Sequence, residues 1–472
     1  MTERDVDVIV VGSGVAGLAA ALTARASGAE RVLVAEAEGV VGGSSRLSGG
    51  LIMGAGTRYQ KAHGIEDDGD SLFHDYMSLN RWSVDAGIVR RFCELAGQTV
   101  DWLGDLGVEY YDTLVLGGDE RLPRVHVPVG RGQHMIDVLW AACREADVDV
   151  ALGQRVDRLL VEGDAVIGVA VGDDEITAGA TVIATGGFGN SPEKLAEHYP
   201  SAAGTGNAWY IGADGARGDA IDLAAQVGAQ ITGHDRGLRL LHAGFDLIFE
   251  AYLPGWLVLV NGEGRRFIDE TAPYGILDTV VREQGDRVYV VFDDASLQAA
   301  TAGGEARYKH AIPGSSKRQS PHWNADIVEA MVDAGHVVRA DTIDGVATGV
   351  GVPAAALRST IDGYNAAVAA GEDTEFLKDV SFLEPVATPP FYGAELRPST
   401  VCSTACGLRI DPDAAVRGDG GRPIPGLFAA GECTGGVVGA QYVGSGNNYA
   451  NGAVIGRIAG ASAAAFAKQG GR

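Results

Sequence analysis

The stretch that most restricts this chain is its beginning, DVDVIVVGSGVAGLAAALTARASGAERVLVAE. An unbroken apolar run from Val6 to Val11 enters glycines at 12, 14 and 17. A small-residue helix pattern follows, then a second apolar run from Val32 to Ala35 that ends at Glu36. Each glycine has its own task in such a strand–helix–strand unit. Gly12 permits a tight turn, Gly14 lets a diphosphate approach the backbone, and Gly17 lets helix and strand pack closely. The first helical turn offers N–H groups and a partial positive charge to that diphosphate. Glu36, about twenty residues beyond the glycines, accepts hydrogen bonds from ribose hydroxyls. Strand, helix, strand and acid in this order predict a Rossmann-like, dinucleotide-binding α/β domain.

Three later segments select FAD over NAD. EGVVGGSSRLSGGLI (38–52) follows the acid directly, with serines and glycines spaced to wrap an extended ligand. TVIATGGFGNS (181–191) reads as a strand entering a second glycine pair, and IPGLFAAGECTGG (424–436) as an apolar segment ending in Gly431-Glu432. That last piece lies near the far end of the chain, so the chain starts and finishes in one cofactor domain and inserts another between. The expected FAD contacts are Gly12, Gly14, Val15, Ala16, Gly17, Glu36, Ala37, Gly43, Ser44, Ser45, Ser48, Gly49, Gly50, Val156, Thr185, Gly186, Gly187, Gly431, Glu432, Ser445 and Asn447. A final helix, from near Ser445 to about Lys468, is expected to aim its N-terminal N–H groups at the flavin N1/O2 edge, where they stabilise the reduced anion.

Composition narrows the partners. The 472 residues suffice for two or three domains. Lys plus Arg number 37 against 62 Asp plus Glu, a net charge of −25, so the chain has no general attraction for nucleic acid or an anionic membrane. Five cysteines, at 93, 143, 402, 406 and 433, are too few and too odd for a disulfide framework and fit a reducing compartment. Cys402 and Cys406 lack the second Cys or His pair that a zinc site needs, so no metal is expected. No signal-like or membrane-spanning apolar stretch is visible, and the expectation is a cytoplasmic enzyme without a stable membrane anchor.

VIVVGSGVAGLAAA, LVAEAEGVVGGSSRLSGG, TVIATGGFG, NGEGRRFIDETAPY and GLFAAGECTGGVVGAQYVGSG together resemble the fumarate reductase/3-ketosteroid dehydrogenase flavoprotein family over nearly the whole chain. The resemblance implies a glutathione-reductase-type FAD domain built from residues 1–232 and 403–472. An α+β capping domain at 233–402 is inserted into it, with substrate held between cap and flavin. Some members link the flavin covalently through histidine; GGSSRLSGG has none, so noncovalent FAD is implied.

Departures from the fumarate-type pattern carry more. Where those enzymes place a proton-donating arginine four residues after a glutamate, this chain has Tyr274 after Glu270; where they place a carboxylate-clamping arginine, GAQY supplies Tyr442. A substrate-binding histidine is replaced by Ser403 in STACG. Arginine suits a carboxylate because its planar fork makes two parallel charge-assisted bonds, whereas a phenol offers one neutral donor suited to a single carbonyl oxygen.

YVGSG is similar to the Y-P-G-A-G motif of the 3-ketosteroid Δ1-dehydrogenases, with Val443 for proline. The resemblance implies that the Tyr442 hydroxyl and the Gly446 N–H bind a ketone oxygen while Tyr274 removes the α-proton. The β-carbon then gives hydride to flavin N5, and an α,β-unsaturated ketone forms. Two donors on the oxygen stabilise the developing enolate, and loss of one such donor costs on the order of 100-fold. An unperturbed phenol near pKa ~10 is a poor base at neutral pH, so Tyr274 needs a lowered pKa or a relay to solvent.

The substrate is then a steroid or a smaller cyclic ketone, and oxygen, a quinone or a carrier protein reoxidises the flavin. Two alternatives remain: an enone or unsaturated-acid reductase on the same fold, and a noncatalytic electron-transfer subunit. Among other residues, Tyr110 and Tyr111 could supply a third phenol to the pocket but are expected in core or surface positions, and His126, in a stretch that resembles one near the flavin in the family, is expected as a structural histidine. His234 and His242 start the cap, where either could line the pocket, and Ser403 and Thr404 lie at the return to the FAD domain, where they could touch substrate. GEGRRF (262–267) reads as a hairpin turn with solvated charge.

Overall fold

The structure, a computed structural model, describes residues 4–206, 208–245, 247–310, 313 and 319–470. Contacts divide the chain into two compact units. One comprises Met1–Gly204, Tyr210–Leu238 and Cys402–Arg472, the other Thr205–Trp209 and Arg239–Val401.

The first unit is α/β, as the opening motif requires. Its apolar runs become strands β1 (Val6–Val11) and β2 (Val32–Glu36), joined by helix α1 (Val15–Ala26). With β3 (Asp149–Leu152), β4 (Asp174–Ile183), β5 (Ala415–Arg417) and β6 (Pro423–Ala429) they follow the order β5–β6–β4–β1–β2–β3. Val10 pairs in parallel with Val34 on one side and Val182 on the other, and Val182 pairs with Phe428 of β6. A strand from near the C-terminus is thus separated from the strand that opens the chain by β4 alone. Val8, Ile9 and Val10 are wholly buried, which explains an unbroken rather than alternating apolar run.

The C-terminal helix (Asn447–Lys468) lies along α1, backbone against backbone. A Cβ on Gly456 would come within 2.4 Å of the Ala16 carbonyl oxygen, and one on Gly460 within 2.1 Å of the Ala20 oxygen. On Gly452 it would meet Val15 at 2.7 Å. The spacing of four puts these glycines on one helix face, and the absence of side chains lets the helices close to backbone contact. Beneath them Gly17 approaches Gly12, where an added Cβ would stand 1.9 Å from the Gly12 oxygen.

The second unit is α+β. An antiparallel sheet runs from Val258–Val260 through Val288–Asp293 to the long strand beginning at Phe391, which also pairs with Val337–Ala340. Alternation divides its side chains between two cores. Leu257, Leu259, Val290 and Phe292 face a cluster with Trp256 and Trp323, while Val258, Val260 and Val291 face one with Leu357 and Tyr364. Among the described residues no helix is long and apolar enough to cross a membrane.

The helix contact gives a direct test. Gly460→Val should overpack it and lower stability by about 1–3 kcal/mol, read as a drop in Tm of roughly 2–4 °C per kcal/mol. Gly363→Ala, in a helix where an added Cβ meets nothing within 4 Å, should leave Tm unchanged or slightly raised.

Candidate active site

All the expected FAD contacts fall in the first unit. Gly14 caps α1, and the Val15 N–H donates to the Ser45 hydroxyl at 3.1 Å, which joins the first glycine turn to the serine-rich segment. The Glu36 carboxylate accepts from the Ser13 N–H (2.8 Å) and hydroxyl (2.5 Å) and from the Glu38 N–H (2.8 Å). It is held in place at the end of β2. Gly43, Ser44 and Ser45 form the short helix Gly43–Leu47, which ends at Ser48. Gly50 has φ +70° and lies against Gly132, whose nitrogen an added Cβ would approach to 2.6 Å. Gly186 and Gly431 also have positive φ.

Glu432 is enclosed beside Gly187 and accepts from the Thr404 N–H (2.9 Å) and hydroxyl (3.1 Å). Burial raises its pKa against the lowering effect of those two donors. Ala37 follows β2, and Val156 is buried in the loop after β3. The polar atoms Thr185 Oγ1, Asn447 Nδ2 and Asn451 Oδ1 are buried and have no partner among the described residues. A glycine-capped helix start, a fixed acid and buried polar atoms unpartnered among the described residues fit a long polar dinucleotide.

Tyr442 belongs to the same unit and is nearly buried, at 8% exposure. Its hydroxyl oxygen accepts from the Asn448 N–H (3.3 Å), in the first turn of the C-terminal helix. Gly446 is that helix's N-cap, with φ +85°. A Cβ there would stand 2.9 Å from Ile52 C and Met53 N, so only glycine fits. The Gly446 carbonyl accepts from Met53 N–H (3.2 Å), and Ser445 N–H donates to Gly117 O (2.8 Å). The Gly446 N–H has no acceptor among the described residues. A hydroxyl that already accepts from a backbone N–H is a stronger donor through its own hydrogen.

Tyr274 opens the helix Tyr274–Glu283 in the second unit. The turn before it does not carry only solvated charge, which corrects the reading of GEGRRF. Asn261 N–H does bond Arg265 O at 2.9 Å, and Arg265 is exposed, but the Arg266 side chain is 1% exposed. Its guanidinium donates to Glu270 (2.8 and 3.0 Å) and Asp373 (3.2 and 2.9 Å), with the rings of Tyr364 and Phe376 each 5.0 Å away. Lys378 Nζ adds a second cation 3.1 Å from Glu270. Two cations and two anions balance inside the fold and fix the chain just ahead of Tyr274.

The remaining candidates separate. Tyr111 is exposed, whereas the Tyr110 hydroxyl is buried without a partner among the described residues and its ring lies 5.7 Å from His126. His126 meets the Thr57 hydroxyl at 2.9 Å, and its other ring nitrogen has no partner among the described residues. Burial lowers its pKa to about 4. His234 is in the first unit with Nε2 3.0 Å from the Glu197 carbonyl. His242, in the second, packs edge-on to His322 with ring centroids 5.2 Å apart. Ser403 Oγ is buried and unpartnered among the described residues.

Several residues escaped the sequence reading. Ser13 lies inside the glycine motif and was legible there as a polar residue beside Glu36. Tyr210 bonds Ser44 Oγ at 3.0 Å from far along the chain. The Glu250 side chain, 6% exposed, accepts from Tyr308, from Ser320 (2.7 Å) and from His322 Nδ1 (2.8 Å). No spacing rule could join those positions.

A family profile described as an FAD binding domain matches residues 7–448. The chain is 33% identical over 473 residues to Ifc3, a probable fumarate reductase of Shewanella frigidimarina, spanning 98% of this chain and 75% of that protein. It is 30% identical over 488 residues to the urocanate reductase of Eggerthella lenta, spanning 98% and 75%. The structure of the 3-ketosteroid-Δ4-(5α)-dehydrogenase of Rhodococcus jostii RHA1, in complex with 4-androstene-3,17-dione, superposes with a TM-score of 0.78 at 27% identity, covering 98% of both chains.

Asp373 supplies a pH test of the buried charge network. Burial raises its pKa, but the Arg266 guanidinium and the N–H groups of Glu375 and Phe376 outweigh that and hold it at about 2. A depressed carboxylate stabilises the fold above its unfolded value near 3.8 and loses that contribution as pH falls through about 2. Asp373→Asn should therefore cost about 2 kcal/mol at pH 7. The deficit against wild type in denaturant titrations should shrink steadily below pH 4, toward the folded-state value.

Proposed function

This chain belongs to the FAD binding domain family and is a flavin-dependent oxidoreductase of the CH–CH class, and within that class we propose that it dehydrogenates a cyclic ketone. The substrate would be a 3-ketosteroid or a smaller substituted cyclohexanone, the product the α,β-unsaturated ketone. FAD, held noncovalently, supplies the acceptor for the hydride that leaves the β-carbon. An external oxidant (oxygen, a quinone or a carrier) would restore it.

The observation that carries this reading is the setting of Tyr442. Its hydroxyl is bonded to a helix-end N–H, and four residues on stands a glycine whose own N–H has no acceptor among the described residues. In the proposal the Tyr442 O–H and Gly446 N–H both donate to the ketone oxygen and polarise it. Charge arriving on that oxygen also meets the positive end of the C-terminal helix. Tyr274 takes the α-proton on its phenolic oxygen. It stands at the N-terminus of a helix, where negative charge is favoured. Neither residue can make the bidentate grip that a dicarboxylate needs.

A second reading keeps these roles and reverses the direction. The similar proteins include a probable fumarate reductase and a urocanate reductase, and the same donors would polarise an enone while Tyr274 returned a proton to its α-carbon.

Anaerobic mixing separates the readings. A saturated cyclic ketone should bleach the oxidised flavin of the holoenzyme; an enone should instead reoxidise the reduced flavin if the reverse direction dominates. Tyr442→Phe should slow either reaction by roughly 100-fold or more with FAD content unchanged. Wild-type rates in that variant would refute the oxygen-binding role.

A further inference from the structure

The turn Gly117-Gly118-Asp119-Glu120 enters none of the steps above, yet it lies backbone to backbone against the segment that leads to Gly446. Gly118 forms an isolated antiparallel bridge with Gly444, and the Ser445 N–H donates to Gly117 O at 2.8 Å. A Cβ on Gly118 would stand 2.2 Å from Val443 O, and one on Gly117 2.6 Å from Ser445 O. Glycine permits this approach but also leaves the peptide planes free to turn. Closeness alone therefore does not fix them.

Glu120 supplies the hold. It is 4% exposed, and its carboxylate accepts from the Gly117 N–H (2.5 Å) and the Gly118 N–H (2.7 Å). The 117–118 and 445–446 peptides are both trans, so in each the N–H and C=O point in opposite directions. Drawing the Gly118 N–H to Glu120 turns Gly117 O the other way, onto the Ser445 N–H. The Ser445 carbonyl oxygen faces Gly117, so the Gly446 N–H of the same plane faces away from the turn. We propose that Glu120 is a positioning residue: by holding the Gly117-Gly118 peptide it fixes the Ser445-Gly446 peptide and keeps the Gly446 N–H available to the ketone oxygen. This rests on the ketone reading above and names the group that sets its backbone donor. A carboxylate suits the task because both its oxygens accept, whereas an amide side chain accepts on one only.

The test compares wild-type holoenzyme with Glu120→Ala and Glu120→Gln. Amide hydrogen exchange of the peptide 443–450, followed by mass spectrometry, reads the hold on the backbone. Deuterium wash-in at the α-carbon of cyclohexanone, with the flavin reduced, reads the donor. In Glu120→Ala the peptide should exchange roughly tenfold faster and the ketone wash-in should slow by about tenfold or more, with FAD content and exchange in α1 unchanged. Glu120→Gln keeps one acceptor and should fall between the two. Unchanged backbone exchange would overturn the hold, and faster backbone exchange with wild-type ketone wash-in would overturn the positioning role. If Glu120→Ala does not retain FAD, Glu120→Gln decides by the same two readings. If wild type washes deuterium into no ketone, the ketone reading fails, and backbone exchange alone judges whether Glu120 holds the peptide.

Discussion

The backbone-to-backbone seam between α1 and the C-terminal helix is what the rest depends on. Because Gly452, Gly456 and Gly460 have no side chains, the last helix rests on Val15, Ala16 and Ala20. Its N-terminus is thereby delivered to the turn that opens the chain. The residues just before it, Tyr442 to Gly446, become part of the same cradle as Gly12 to Gly17 although they lie at opposite ends of the sequence. A longer side chain anywhere on the seam would lift the helix and move its positive end, the N-cap glycine and the phenol together.

On that frame the choice of side chain decides the chemistry. A guanidinium keeps its charge and offers a planar fork, while a phenol is neutral, donates once and also accepts. Tyr442 uses the accepting side on Asn448 N–H, a contact impossible for arginine, which has no acceptor. Tyr442 is thereby tied to the helix that also carries Gly446. The second unit treats charge the opposite way. Arg266, Lys378, Glu270 and Asp373 are buried together as a neutral set, and they anchor the chain ahead of Tyr274.

What the sequence made legible follows from the range of the interactions. The first strand, the glycine turn and the start of the last helix are local patterns, and they stand at Val6–Val11, Gly12–Gly17 and Asn447. Glu36 was readable because it ends the second apolar run at the distance from the glycines that the motif sets, although one of its partners, Ser13, lies far back in the chain and only Glu38 is a sequence neighbour. Arg266 was misread because its burial depends on Asp373, which no turn pattern reveals. The Glu250 cluster and the Tyr210–Ser44 bond were invisible for the same reason: each joins residues whose neighbourhood exists only once the chain has folded.

Exchange of the ketone α-hydrogen with solvent, followed by NMR in deuterium oxide, addresses oxygen polarisation most directly. With the flavin already reduced, dehydrogenation is blocked and only enolisation remains. Wild-type holoenzyme should wash deuterium into the α-position, and the variant lacking the Tyr442 hydroxyl should do so far more slowly. Equal exchange by both proteins would contradict a carbonyl held by that phenol.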